Sequence, residues 1–416
     1  MKIITLTEKE FDDYASHHKY RNFYQTSSYG KAMEPFGYKT HLLGIENDYG
    51  KLIGASLLLY KEVFMNYKLA YAPRGILFDY TDAELLKEFT ERLKKLLSKQ
   101  GFMYLKIDPA IPICLRDSTG KIINMNREAN IILENLKANN YVYHGQTLYF
   151  ETEKARFEAI VTLNDNIRNI YQQFEKNTRY KIKKAAKNGV EVYKSGPENL
   201  ELFYNLVKRK HTKTLEYYQE LYKHFGNNIE LYFAKLNTET FVITNKKAYE
   251  TELERNDDLT KKIQQAANSK NARRKLINEK IESDKLVNVY KKNLLWATEL
   301  LKTNPNGVII GTAMTICYDN TAFLFIEAFD KSYKNLNPNY LIKWKMINEY
   351  KNRNFKYLNL NAVSGEFKKD NKFYGLNEMK LGFHAVVSEY IGEFDLIINS
   401  LAYSLYRNLN KGKKKW

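Results

Sequence analysis

The sequence predicts an α+β fold built as two tandem copies of one unit, with an antiparallel helical pair inserted into the second copy. Three observations predict it. The phrase "GKLIGASLLLY", from Gly50, returns as "GVIIGTAMTICY" from Gly307, with Ile-Gly at the fourth and fifth positions of each. The same order of elements surrounds both phrases. Only the second phrase follows a polar stretch, Thr244 to Asn304, that contains no Gly and no Pro.

In the first copy, "KTHLLGIEND" reads as a strand that ends in a polar turn. "YGKLIGASLLLYKEV" is its hairpin partner, joined through Asn-Asp-Tyr-Gly, and "YKLAYAPRGILFDY" is a further extended stretch. "AELLKEFTERLKKLLSKQ" places Leu and Phe at helical spacing, and "MYLKIDP" is the strand after it. The second copy repeats that order. "IELYFAKLN", "NGVIIGTAMTICYDN" and "TAFLFIEAFD" are strands, "YLIKWKMINEYKNRN" is the helix, and "YLNLNAV" is the closing strand. Tyr104–Asp108 and Tyr357–Asn361 fall in equivalent places. The expected division is 1–145 for the first unit, 146–243 with 305–416 for the second, and 244–304 for the inserted arm.

The arm reads as a coiled coil. Tyr249, Leu253, Ile263 and Ala266 share one face, and Val287, Tyr290, Leu294, Ala297 and Leu301 step by three and four as a seam does. "NSKNARR" is the expected reversal. The arm carries 14 Lys/Arg and 9 Asp/Glu, a net of 14 − 9 = +5. Because it replaces a tight turn, the body is expected to fold without it.

The whole chain has a formal charge of +18 over 416 residues, which favours an anionic partner: nucleic acid, phosphates or an anionic membrane surface. The two cysteines, Cys114 and Cys317, offer neither a disulfide framework nor zinc spacing and fit a reducing cytoplasm. The N-terminal stretch turns acidic too early for a signal peptide, and no apolar run is long enough to span a membrane. In "KNTRYKIKKAAKNGV", six Lys/Arg lie between Lys176 and Lys187 without an acid. Lys176, Arg179, Lys183, Lys184 and Lys187 form a stripe suited to RNA phosphates. The tail "RNLNKGKKKW" has five cations and no acid, a composition that suits anionic lipid.

Several stretches together carry a resemblance: "YQTSSYGKAM", "YAPRGILFDYTD", "YLKIDP", "NTRYKIKKAAKNGVEV", "YLNLNAVSGEF" and "MKLGFHAVVSEYIGEFD". In these the chain resembles the FemABX family of non-ribosomal peptidyltransferases, and its FemA-like branch most. The resemblance implies two acetyltransferase-like (GNAT) units with a helical arm. It implies transfer of an amino acid from aminoacyl-tRNA to an amine of a peptidoglycan precursor, either lipid II or UDP-MurNAc-pentapeptide, without cofactor or metal. Peripheral membrane contact and a homo-oligomer are compatible with it. By the same resemblance, Lys31, Lys213 and Tyr217 would meet the precursor, with Lys213 standing where a relative has Arg. Asp79 and Tyr340 would also line the precursor groove. Asp108 would be the proton acceptor, and Lys380, preceded by Met379 where a relative has an aromatic, would lie near the reacting ester. Lys31 and Lys380 are read as exposed lysines whose loss leaves folding intact. Two rivals remain: an acetyl-CoA-dependent acetyltransferase, and a non-catalytic RNA-binding coiled-coil adaptor. No R-x-x-G-x-G/A pyrophosphate loop is found in either copy, which speaks against the first.

Overall fold

The computed structural model describes residues 1–64, 66–266 and 270–409. The arm's reversal at 267–269 and the tail from 410 lie outside the described residues. In chain order the strands are β1 (Lys2–Thr5), β2 (Lys39–Glu46), β3 (Leu52–Phe64), β4 (Tyr67–Ala72), β5 (Phe102–Ile107), β6 (Pro112–Arg116), β7 (Ile122–Met125) and β8 (Tyr141–Tyr143). Then come β9 (Phe157–Thr162), β10 (Val190–Ser195), β11 (Ile229–Leu236), β12 (Val308–Tyr318), β13 (Thr321–Phe329), β14 (Tyr357–Ala362), β15 (Val386–Tyr390) and β16 (Phe394–Ile397).

They form two sheets. One has the order β1-β2-β3-β4-β5-β16-β8 and the other β10-β11-β12-β13-β14-β9-β15-β6-β7. Within them, β2-β3-β4-β5 and β11-β12-β13-β14 share one pattern: antiparallel, antiparallel, then parallel across a helix. Those crossover helices are Ala83–Lys99 and Pro338–Asn352. Two excursions tie the sheets together. β6 and β7 leave the first half for the second sheet, and β16 returns from the far end of the chain to pair with β5.

The repeated Ile-Gly has a structural meaning. Ile45 pairs with Gly54 and Glu46 with Leu52, so Ile53 is the extra residue of a bulge. Ala234 pairs with Gly311 and Lys235 with Ile309, which leaves Ile310 in the same role. The entry turns also match. The Gly50 N–H donates to the Asn47 carbonyl and the Gly307 N–H to the Asn304 carbonyl, each at 3.0 Å. Both glycines adopt the left-handed conformation, at φ +74° and +85°. The arm is therefore spliced between β11 and a turn that keeps its original geometry.

The arm helices span Thr238–Gln265 and Lys270–Thr303. The first begins six residues earlier than the sequence suggested, because the Asn237 side chain caps it by accepting from the Thr240 N–H at 2.9 Å. Val287, Tyr290, Leu294, Ala297 and Leu301 all face inward, as read. Opposite them Leu253 is exposed, and Glu252 and Asn256 take the seam instead. The Ser283 hydroxyl donates to Glu252 at 2.7 Å, and the Asn256 amide donates to Ser283 at 3.1 Å. Such a polar layer fixes the register of two helices at some cost in stability. The root of the arm is not dispensable. Phe241, Ala297 and Leu300 belong to the main core of the second half, and Trp296 packs edge-on to Phe241.

The two glycines after the bulged isoleucines differ in the space around them. A Cβ on Gly54 would stand 2.7 Å from both the Ile45 side chain and the Phe78 ring. One on Gly311 would meet Pro338 at 3.3 Å and Ile342 at 3.4 Å. Gly54→Ala should lower stability by about 1–3 kcal/mol, the cost of overpacking a filled core. Gly311→Ala should stay within about 1 kcal/mol of the parent, its tight contacts offset by reduced unfolded-state entropy. Urea midpoints of the two variants check this ordering.

Candidate active site

The two copies diverge at their parallel pair. In the first, β4 and β5 stay paired from Lys68↔Phe102 to Ala72↔Ile107. In the second, β13 and β14 pair only over Thr321↔Tyr357, Ala322↔Leu358 and Phe323↔Asn359, then part. Asn361, at φ +64°, reaches back across the gap to the Leu324 and Phe325 carbonyls, each at 3.4 Å. The split opens a narrow cleft of about 30 Å³, lined by Tyr24, Lys154, Glu158, Phe325, Asn359 and Asn361 among others.

Charged groups from both sheets meet behind this cleft. Arg74, in the left-handed conformation after β4, projects its guanidinium onto Glu158 of β9 at 2.5 Å and onto the Ala155 carbonyl at 2.6 Å. The guanidinium lies 4.5 Å from the Tyr390 ring centre. Glu158 also accepts from the Asn359 amide at 2.7 Å and the Tyr390 hydroxyl at 3.2 Å. Asp108, at the end of β5, accepts from the Tyr71 hydroxyl at 2.9 Å and the Arg74 N–H at 2.6 Å. Burial pushes the Asp108 carboxyl up to about 6, although Arg74 opposes the shift. Lys154 stands half-buried over the Tyr24 ring at 3.8 Å. Burial brings its ammonium down to about 8 against the pull of Asp108.

A second cluster lies at the far end of β14. Lys380 is 7% exposed and donates to the Ala362 carbonyl at 2.8 Å. The sequence reads as placing it on the surface; it is buried because helix Tyr374–Leu381 turns it under β14. Burial lowers it to about 7, and Lys343 and Lys210 add to that, while Glu327 and Glu158 oppose it. Burial also pushes Glu327 up, but Lys343 and Lys380 outweigh it and hold the carboxyl below its ordinary value.

The structure gathers some of the sequence-selected residues and separates others. Asp108 and Lys380 are both buried, and neither lines the cleft. Tyr217 is buried with its ring stacked 6.4 Å from Phe325 of the cleft wall, and Lys213 sits 4.9 Å over Tyr217. Tyr340 accepts from Lys181 at 2.9 Å and stacks 6.0 Å from Phe383. Lys31 is half-buried and paired with Glu8 at 2.7 Å. Asp79 is exposed and bonded to the Thr81 N–H and hydroxyl at 3.0 and 2.7 Å. Neither Lys31 nor Asp79 lines the cleft. The basic helix Lys176–Lys187 buries Thr178, Ile182 and Ala185. Lys176, Lys183 and Lys187 are exposed, and Arg179 and Lys184 are half-buried. Its end is tied to the arm where the Thr244 hydroxyl donates to the Lys187 carbonyl at 2.9 Å. Sequence reasoning missed Arg74, Lys154 and Glu158. Glu158 left a signal, a lone acid within the apolar strand "FEAIVT".

Two copies of one α+β unit, the second with its parallel pair split, define the class of fold. The chain belongs to the FemAB family, whose model matches residues 6–411. It is 28% identical over 435 residues to an aminoacyltransferase FemA of Staphylococcus epidermidis, with 100% of each chain covered. It is 25% identical over 427 residues to the aminoacyltransferase FemA of Staphylococcus aureus strain N315, again with 100% of each covered. The crystal structure of FemX superposes with a TM-score of 0.71 at 22% identity, covering 97% of this chain and 99% of that one.

The lowered pKa of Lys380 links folding to pH. Its ordinary value is 10.5 and its folded value about 7, so the unfolded chain binds the extra proton between them. The stability lost to this lysine is greatest below about pH 7 and is recovered as pH rises toward 10.5. The melting-temperature difference between Lys380→Met and the parent should therefore fall steadily from pH 7 to pH 10. A flat difference would contradict the buried placement.

Proposed function

We propose that this chain is an aminoacyltransferase that moves an amino acid from aminoacyl-tRNA to an amine of a peptidoglycan precursor, building the interpeptide bridge. Membership of the FemAB family supports the reaction class, and the buried charge cluster behind the β13/β14 split is the observation that carries the site. An aminoacyl ester is already activated. The acceptor nitrogen attacks the ester carbonyl, the C–N bond forms, and the bond to the ribose oxygen breaks. The proton lost by the amine goes to that departing oxygen. The step balances without ATP, metal or cofactor. What the protein contributes is alignment and fixed charge.

In this reading Lys154 supplies positive charge where the ester oxygen becomes anionic. Asp108 acts through Arg74 and Lys154, and Lys380 acts through the end of β14. Lys213, Tyr217 and Lys31 take the precursor's phosphates and peptide, with Asp79 and Tyr340 at the margins of the groove. Lys176, Arg179, Lys183, Lys184 and Lys187 take tRNA phosphates, continued by the positively charged arm. The units 1–145 and 146–243 with 305–416, and the arm 244–304, are the functional divisions. Either lipid II or the UDP-linked precursor presents a suitable amine.

The acetyl-CoA alternative fares poorly. CoA pyrophosphate needs free N–H groups at a helix start. In the first copy the Asp82 carboxylate occupies that start, accepting from Leu85 at 2.9 Å. In the second, Pro338 at the first position removes a donor. A panel of labelled aminoacyl-tRNAs with purified lipid II tests the proposal. Label should pass from one or more tRNAs to the precursor, and none from acetyl-CoA; the reverse result would overturn it.

Two variants test the donor side. Lys183→Gln with Lys187→Gln should raise the Michaelis constant for aminoacyl-tRNA and reduce its salt slope by about one for each lost phosphate contact. Replacing 251–287 by Gly-Asn-Gly-Gly keeps the core-forming root of the arm. This variant should melt as the parent does yet use tRNA less efficiently. Unaltered tRNA efficiency in both would remove this face from donor binding.

A further inference from the structure

A second pocket, of about 280 Å³, shares no lining residue with the cleft where β13 and β14 part. Its walls come from the turn between β6 and β7, the first turn of helix Lys176–Lys187, and helix Tyr374–Leu381 with the loop before it. Close packing builds it. The Glu175 N–H donates to the Gly382 carbonyl at 2.9 Å, and a Cβ on Gly382 would collide with the Thr178 hydroxyl, so glycine is needed where the two helices meet. The Asn377 amide donates to the Ser364 carbonyl at 3.0 Å and the Glu366 carbonyl at 3.1 Å. Those bonds fix the loop that carries Phe367 into the pocket wall.

The lining is chemically specific. Thr178 is 3% exposed, lines the pocket, and its hydroxyl has no hydrogen-bond partner among the described residues. A buried hydroxyl is normally paired, and a ligand atom in the pocket would satisfy this one. Phe367 and Tyr374 supply ring walls, which suit a flat ligand. Glu175 and Glu378 stand exposed at the rim, with Glu378 accepting from the Asn177 amide at 3.3 Å. Carboxylates there disfavour a bare anion inside and favour a hydroxyl donor. Between Glu175 and Asn177 lies Lys176, the start of the basic stripe. Lys176, Tyr180, Lys183 and Lys187 follow at intervals of four, three and four on one helical face, and Tyr180 is 60% exposed. Cations interleaved with an exposed ring make a surface for single-stranded nucleic acid.

We propose that this pocket takes one unstacked ribonucleotide from the single-stranded end of the donor RNA, its base against Phe367 and Tyr374, its ribose 2′-hydroxyl on a rim carboxylate and its phosphate on Lys176. The inference rests on the donor being a tRNA, as proposed above, and adds where its unpaired strand is gripped. Unpaired bases are held by stacking on aromatic rings and by hydrogen bonds to their edges, and the 2′-hydroxyl is what separates RNA from DNA. The Thr178 hydroxyl can donate or accept, so it can meet a base edge. A neutral saccharide could use the rings and carboxylates but would leave the adjoining cations without a role. Because the pocket lies apart from the cleft, it holds a nucleotide set back from the ester and leaves the aminoacylated end free to reach Lys154.

The experiment measures binding of the unacylated tetranucleotide ACCA, as RNA and as DNA, to the full chain by fluorescence anisotropy. RNA should bind about tenfold more tightly than DNA, as for a lost hydrogen bond to a charged group. Thr178→Val should weaken RNA binding roughly two- to tenfold. It should melt no lower than the parent, because the hydroxyl it removes has no partner in the fold. Tyr374→Ala should weaken RNA binding by at least about fivefold, as for a lost stacking ring. Glu175→Ala with Glu378→Ala should bring the RNA and DNA affinities together. Equal affinity for RNA and DNA in the parent would overturn the inference, as would parent-like RNA affinity in both Thr178→Val and Tyr374→Ala. No ester or acceptor is present in this assay. Pocket-dependent RNA binding without transfer of label to lipid II would therefore count against the proposed function alone, and transfer with an idle pocket against this inference alone.

Discussion

The arrangement depends on one guanidinium buried between two sheets. Arg74 leaves the first sheet and closes on Glu158 in the second, with both side chains almost fully enclosed. Burying such a pair costs several kcal/mol per ion unless each remaining polar atom is satisfied. Here Glu158 is also held by Asn359 and Tyr390, and the Arg74 backbone is held by Asp108. Arg74 Nε has no hydrogen-bond partner, but removing either Arg74 or Glu158 would leave the other's charge stranded, so the pair acts as a keyed joint between the halves. Further buried pairs accompany the crossovers: Glu393, just before β16, pairs with Lys106, and Glu389 of β15, beside β6, pairs with Arg116 and Arg156.

The joint makes the two copies unequal. Both keep the bulge, the Asn-x-x-Gly entry turn and the parallel crossover. Only the second lets its parallel strands separate, and the gap is held open by Asn361 bonding across it. The first copy, zipped shut, serves as a wall that delivers Tyr24 to the other's opening and Arg74 and Asp108 to the cluster behind it. A duplicated unit has thus become one scaffold and one site.

Much of the fold was legible in the sequence because it is local. Element order follows from hydrophobic periodicity and turn residues, and the repeated Ile-Gly carried the duplication. The inward seam of the arm's second helix was legible for the same reason. The first helix was harder, because polar Glu252 and Asn256 occupy seam positions that periodicity assigns to apolar residues. The site was least legible. Lys154 and Glu158 matter because β9 lies beside β14, a pairing about two hundred residues apart in sequence that no local pattern announces. Lys380 reads as a surface lysine until its helix is seen to pass beneath β14. The exchanged strands β6, β7 and β16 were missed for the same reason: short apolar segments do not say which sheet they will join.

The central claim is that transfer occurs in the cleft where β13 and β14 part, with Lys154 supplying the charge. Lys154 is the cationic side chain among that cleft's lining residues. Its contacts are to aromatic faces, so Lys154→Met should preserve the fold. Single-turnover transfer from aminoacyl-tRNA to precursor measures the claim directly. The account predicts a fall of about 10²–10³-fold in rate, the range for losing one oxyanion-stabilising group, with tRNA retention unchanged and a cooperative melt retained. An undiminished single-turnover rate would place the chemistry elsewhere.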